Sequence, residues 1–138
     1  MSPVAALMAW VAVWIFWLAT TRTFHPTFGL AVIVTTSLVV AYAVAATLNH
    51  RVLLPRKRAT GHRARYVLEL AATMVVLTAL ALTVIRVSYA RTLGPDPDPN
   101  GVYKHFVIDL FGMAVHVLLA AVAWAGWKSK DRGRPMEP

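Results

Sequence analysis

Four apolar runs dominate the chain: Val4–Thr20, Phe28–Leu48, Val67–Ile85 and Phe106–Trp127. Each approaches the roughly 20 residues with which a helix crosses about 30 Å of hydrocarbon. In lipid a spanning segment must satisfy its own backbone N–H and C=O groups, so each run reads as a helix. The composition points the same way. Hydrophobic residues make up 58% of the 138 and charged residues 14%, with a mean hydropathy of +0.58. A soluble domain carries about 25% charged residues, and a chain this short, with its large surface relative to volume, would need more polar residues still. The expected fold is an all-α integral membrane four-helix protein of two transmembrane hairpins. Its spans fall near 3–20, 28–48, 66–86 and 106–127, followed by a basic tail over 128–138.

The first run is the shortest. Pro3 suits the first turn of a helix, no Lys or Arg precedes the run, and no small-x-small cleavage site follows it. It therefore reads as a retained helix and not as a secretory signal. The chain has no cysteine, which excludes disulfides, thiol catalysis and Cys-ligated zinc or iron–sulfur centres.

With four spans, the side that holds the termini carries Arg51, Arg56, Lys57, Arg58, Arg63, Arg65, Lys128, Lys130, Arg132 and Arg134. The other side carries Arg22, Arg86, Arg91 and Lys104. Ten against four predicts cytoplasmic termini in a bacterial inner membrane. The net charge of +8 is then largely a topology signal. Arg51, Arg56, Lys57, Arg58, Arg63 and Arg65 read as a charged turn on anionic lipid head groups, each adding about 1 kcal/mol of attraction. Nucleic acid is not an expected partner, because no base-reading or stacking element accompanies these charges.

The same stretch resembles a known junction. Asn49, Val52-Leu53-Leu54-Pro55-Arg56, a short basic linker, and Tyr66 opening the next apolar run are similar to the connection between the second and third helices of LytS-type bacterial histidine kinase sensor domains. The likeness covers about 20 residues. It implies a membrane sensor module, which in that family precedes a dimerisation segment with a phospho-accepting His and an ATP-binding domain. After Trp127 comes only "KSKDRGRPMEP", without a Gly-rich nucleotide loop, so phosphotransfer is not carried over.

Lipid gives helices no hydrophobic reason to associate, so seams should show small residues and isolated polar groups. Ser37, Ala41, Ala45 and Asn49 form such a stripe on the second helix. Glu69, Ala72, Val76, Ala79, Thr83, Arg86 and Ala90 follow helical spacing on the third, and Asp109, Gly112, His116, Ala120 and Ala123 on the fourth. Depth matching sets Arg86 near Asp109, an expected structural ion pair. Glu69 has Arg65 four residues before it, an i,i+4 pair.

Two groups of residues are candidates for cofactor contact. His116 lies near the bilayer midplane, where a neutral imidazole would ligate haem iron or the magnesium of a chlorophyll; a hydrogen bond to Thr73, Thr78 or a backbone carbonyl is the structural alternative. His25, His50, His62 and His105 lie toward the two surfaces, so bis-His haem is not expected. Trp10, Trp14 and Trp17 form a stripe that suits helix or lipid packing, or contact with a protein, carotenoid, quinone or other pigment. Nothing in the sequence requires a cofactor, and no metal site is expected: Asp96 and Asp98, between Pro95, Pro97 and Pro99, fall short of the oxygens calcium needs.

No nucleophile–base pair or phosphate loop is present, so the chain is not expected to be an enzyme. The leading expectation is an accessory subunit of a larger bacterial membrane complex, in photosynthesis or respiratory electron transport, with other membrane subunits as partners. The alternative is a kinase-less sensor module that dimerises or binds a small signal.

Overall fold

The computed structural model describes residues 2–94 and 101–132, and every element in them is helical. Helix α1 spans Pro3–Thr21, α2 Phe28–Leu48, α3 Leu54–Thr60, α4 Arg63–Leu93 and α5 Gly101–Arg132. Four helices are long and apolar enough to cross a membrane. The expected outer loop with Asp96 and Asp98, and the end of the basic tail, lie outside the described residues.

The helix starts follow local chemistry. Ser2 Oγ accepts the Ala5 N–H at 3.2 Å and Pro3 occupies the first turn. Thr27 Oγ1 likewise accepts from Leu30 N–H at 3.2 Å and starts α2.

The basic stretch departs from expectation. It is not a loop: α2 runs through a π-helical turn, Asn49–Leu53, into α3, and the chain turns back only at Gly61 and His62. Pro55 explains the wide turn. In a regular helix its ring would strike the carbonyl four residues back, and it has no N–H to donate. Here Leu54 N–H instead reaches Asn49 O, one residue further back, and the helix continues past the proline. Gly61 then ends α3 with φ at +71°, in the left-handed region. A Cβ at Gly61 meets nothing within 4 Å, so the cost of substituting it is conformational alone. Gly61→Ala should lower stability by about 1 kcal/mol, read as the drop in detergent-solubilised melting temperature.

Helix α2 is central and touches α1, α4 and α5. Its buried face runs at 3–4 spacing through Ala31, Thr35, Val39, Tyr42, Ala45 or Ala46, and then Asn49. The small-residue stripe expected on this helix is therefore its packing face, with Ala41, Ala45 and Asn49 buried. On α4 the expected seam is overturned. Ala72, Val76, Ala79, Thr83 and Ala90 are exposed, and the buried residues are Thr78, Ala81 and Leu82. On α5, Met113 and Val117 are the buried pair, beside half-buried Asp109, Gly112, His116 and Ala120.

Register follows from a few polar contacts. His25 meets Tyr89 and Asn49 meets Tyr66, so α2 and α4 run antiparallel. Tyr42 stacks on His116 and His50 on Trp124 with one constant offset in residue number, so α2 and α5 run parallel.

Candidate functional site

A polar aromatic cluster joins α1, α2 and α5, and His116 is at its centre. Its Nδ1 lies 2.7 Å from the carbonyl oxygen of Gly112, one turn back on α5. A carbonyl only accepts, so Nδ1 carries the proton. The other nitrogen, Nε2, then accepts the indole N–H of Trp17 at 3.1 Å. The imidazole also stacks on Tyr42, with ring centroids 4.4 Å apart and planes 22° apart. Both ring nitrogens are engaged, so His116 in this state has no lone pair to offer to a haem or chlorophyll.

The Trp stripe lies along the side of α1 that meets the other helices, with Trp10 and Trp14 half-buried and Trp17 still 36% exposed. Trp10 packs against the core cluster of Ala41, Tyr42, Ala45, Ala81, Met113 and Val117. Trp14 Nε1 donates to Thr36 Oγ1 on α2 at 3.0 Å, and Trp17 Nε1 to His116 on α5. The reason is chemical: an indole N–H inside hydrocarbon needs an acceptor, and only the neighbouring helices supply one. These two bonds hold α1, none of whose residues is buried.

Gly112 is the close-approach point between α2 and α5. A Cβ there would lie 3.0 Å from Tyr42 Oη. Asp109, one turn further out on α5, is within electrostatic reach of Tyr42 and of His105. Among the salt bridges of the described residues there is none between Arg86 and Asp109, the pair expected from depth matching. Among the described residues the salt bridges run to Glu69, from Arg65 at 2.7 Å and Arg56 at 3.7 Å. The Arg65–Glu69 contact is the i,i+4 pair read from the sequence. Arg56 joins it because α3 folds back beside α4.

A second cluster sits at the junction. Tyr66 Oη donates to Asn49 Oδ1 at 2.9 Å, and Asn49 is only 5% exposed. Lys57 Nζ lies 4.7 Å above the Tyr66 ring, a cation–π contact. His50 stacks on Trp124 with centroids 3.5 Å apart. The π turn makes this arrangement, since adjacent residues Asn49 and His50 reach α4 and α5 respectively. The remaining basic residues, Arg51, Arg58 and Arg63, are exposed around the same end of the bundle. Arg63 borders a shallow apolar groove formed by Ala64, Val67, Leu68 and Ala71.

At the other end, His25 Nδ1 lies 2.6 Å from Tyr89 Oη, between the α1 and α2 spans. Burial holds the His25 pKa below its ordinary value of 6.5. The folded state thus favours the neutral ring, while the unfolded chain binds a proton more readily. Its contribution to stability is present above the ordinary histidine value and is lost as pH falls through the depressed one. Melting temperature should therefore decline as pH falls below the ordinary histidine value, and His25→Asn should flatten that decline. An unchanged slope in His25→Asn would assign the acid sensitivity to other groups.

Among the described residues no three His, Asp or Glu side chains gather as a metal site. No protein-family model, curated protein or solved structure matches the chain.

Sequence reasoning missed Tyr42, Thr35 and Thr36, and named Thr78 only as a partner of His116, whereas it turns to Met113. Their surroundings come from helices distant in sequence: α1 brings Trp14 to Thr36, and α5 brings His116 to Tyr42.

Proposed function

We propose that this chain is a non-catalytic, multi-pass membrane sensor module of a bacterial inner membrane, with both termini in the cytoplasm. The observation that carries the reading is the junction. Asn49, Pro55, Arg56 and Tyr66, the residues on which the resemblance to LytS-type sensor domains rests, act as one mechanical unit. Pro55 sets the π turn, Asn49 bonds Tyr66, and Arg56 reaches Glu69. A shift of α2 along its axis would pass through this unit to α4, and through the His50–Trp124 stack to α5. The excess of Lys and Arg at this end supports its cytoplasmic side, and these residues would also hold anionic lipid.

A second reading, an accessory subunit of a photosynthetic or respiratory complex, is favoured by α1. That helix is attached along one side only and leaves Val4, Leu7, Met8, Val11, Ile15 and Phe16 exposed. Such a ridge suits lipid, and it also suits another membrane subunit.

Gentle detergent extraction from the native membrane, followed by size-exclusion chromatography with absorbance monitored into the near infrared, separates the two. The sensor reading expects a small colourless oligomer. Stoichiometric migration with a large complex would sink it and establish the subunit reading.

A further inference from the structure

Serine and threonine hydroxyls in these helices mostly bond back to their own backbone. Ser37 donates to Ile33 O, Thr73 to Glu69 O, Thr83 to Ala79 O, Ser88 to Val84 O and Thr92 to Ser88 O, all at 2.7–2.8 Å. Two of the most buried hydroxyls do not. Thr78, 0% exposed, turns its Oγ1 to Met113 Sδ at 3.7 Å, and a thioether is a weak acceptor. Thr35, 3% exposed, has no partner for Oγ1 among the described residues. Thr78 Oγ1 thus faces α5 with only a weak acceptor, and Thr35 Oγ1 is buried without a partner, where a polar atom is costly.

Thr35 lies level with a carboxylate, and Thr78 about one turn below it. The α2–α5 register that stacks Tyr42 on His116 sets Thr35 and Asp109 opposite one another, one heptad further out on each helix. The Thr78–Met113 contact brings α4 in one turn below Asp109. Tyr42 leans outward until its Oη sits against Gly112, and its phenol is in electrostatic reach of Asp109. His105, exposed and one turn above on α5, is also in electrostatic reach of Asp109. An ionisable group inside a membrane marks a functional site by default.

We propose that Asp109, Thr35, Tyr42 and Thr78 form an intramembrane site for one small monovalent cation of the sodium class. The donors are all oxygen, which suits a hard cation. One carboxylate balances one positive charge, whereas a divalent ion calls for more oxygens and more negative charge. The carboxylate repels anions. This inference is independent of the choice between sensor and subunit, since either can hold an ion between α2 and α5.

The test is thermal unfolding of the full chain in lipid nanodiscs, followed by Trp fluorescence, with sodium exchanged for choline at constant ionic strength. Sodium should raise the melting temperature saturably, because it binds the folded bundle alone. Asp109→Asn should abolish that shift. Thr35→Val should weaken apparent sodium affinity at least about tenfold, and in choline it should melt no lower than the native chain, because it removes an unpartnered hydroxyl. If Asp109→Asn fails to fold, Thr35→Val and Tyr42→Phe decide the matter. Identical melting in sodium and choline would overturn the site. So would a sodium shift retained in full by Thr35→Val, and so would a melting temperature that follows pH alone, which would mean that the carboxyl takes a proton instead.

Discussion

Gly112→Val is expected to separate α2 from α5 and to lower stability by about 3 kcal/mol, the upper part of the range for overpacking a close contact. A Cβ at this position lies 3.0 Å from Tyr42 Oη and 3.8 Å from its Cζ. Tyr42 cannot swing away freely. Its ring is 5% exposed, belongs to the core cluster with Ala41 and Ala45, and is stacked on His116. Alanine would need the phenol to give by a few tenths of an ångström, at about 1 kcal/mol. Valine adds two further methyl groups that cannot both avoid the ring, so the helices must part. The membrane sharpens the effect. The exposed apolar surface of a separated helix is covered by lipid, so hydrophobic burial contributes little to association and close packing contributes most. Melting temperature in mild detergent should fall in the order native, Gly112→Ala, Gly112→Val. Tyr42→Phe should rescue much of the alanine loss by removing the clashing oxygen, and a double-mutant cycle would measure that coupling. A Gly112→Val variant that melts with the native chain would show that α2 and α5 do not meet here.

The sequence makes the four spans legible because their evidence is length and apolarity, which lipid demands of every crossing helix. The α2 seam is legible for a related reason: Ala41, Ala45 and Asn49 are small or polar in a run of large apolar neighbours, and that contrast survives in lipid. The α4 seam is not legible. Ala72, Ala79 and Thr83 have the right spacing and size, yet they are exposed, while Thr78, Ala81 and Leu82 are buried. In water the polar face of a helix would separate the two possibilities. Here both faces are apolar, so periodicity alone cannot. Pro55 misleads in another way, since it reads as the end of a helix until the π turn at Asn49–Leu53 accommodates it.

His116 was legible as an unusual residue, but its role depends on partners distant in sequence, Trp17 on α1 and Tyr42 on α2. The position of a histidine at mid-span suggests a ligand. The geometry gives it two hydrogen bonds and a stacked ring in place of one open nitrogen. Indole N–H groups decide the point, because Trp14 and Trp17 must each find an acceptor in the bundle.

His116→Ala is accordingly expected to lower stability by about 2–3 kcal/mol, from the lost stack on Tyr42, the lost hydrogen bond from Trp17 and the cavity left behind. It should also loosen α1 selectively. That helix has no buried residue and is held by Trp10 packing, the Trp14–Thr36 bond and the Trp17–His116 bond. Removing the acceptor leaves the Trp17 N–H unpaired, which costs more than the bond itself contributed. The expected signs are faster proteolysis after solubilisation near the 3-10 turn Arg22–Phe24, and a changed Trp emission. His116→Gln separates the contributions. Its amide oxygen can still accept from Trp17, but it cannot stack on Tyr42, so it should recover part of the stability and most of the α1 attachment. Trp17→Phe in combination with His116→Ala should cost less than the sum of the two singles, by about 0.5–1 kcal/mol. A ligand role makes the opposite forecast: His116→Ala would remove a visible absorption band from the purified native protein, and His116→Gln would not restore it. Loss of such a band would overturn the hydrogen-bonded assignment, whereas unchanged absorbance together with a loosened α1 would establish His116 as the residue that ties the first helix to the fourth span.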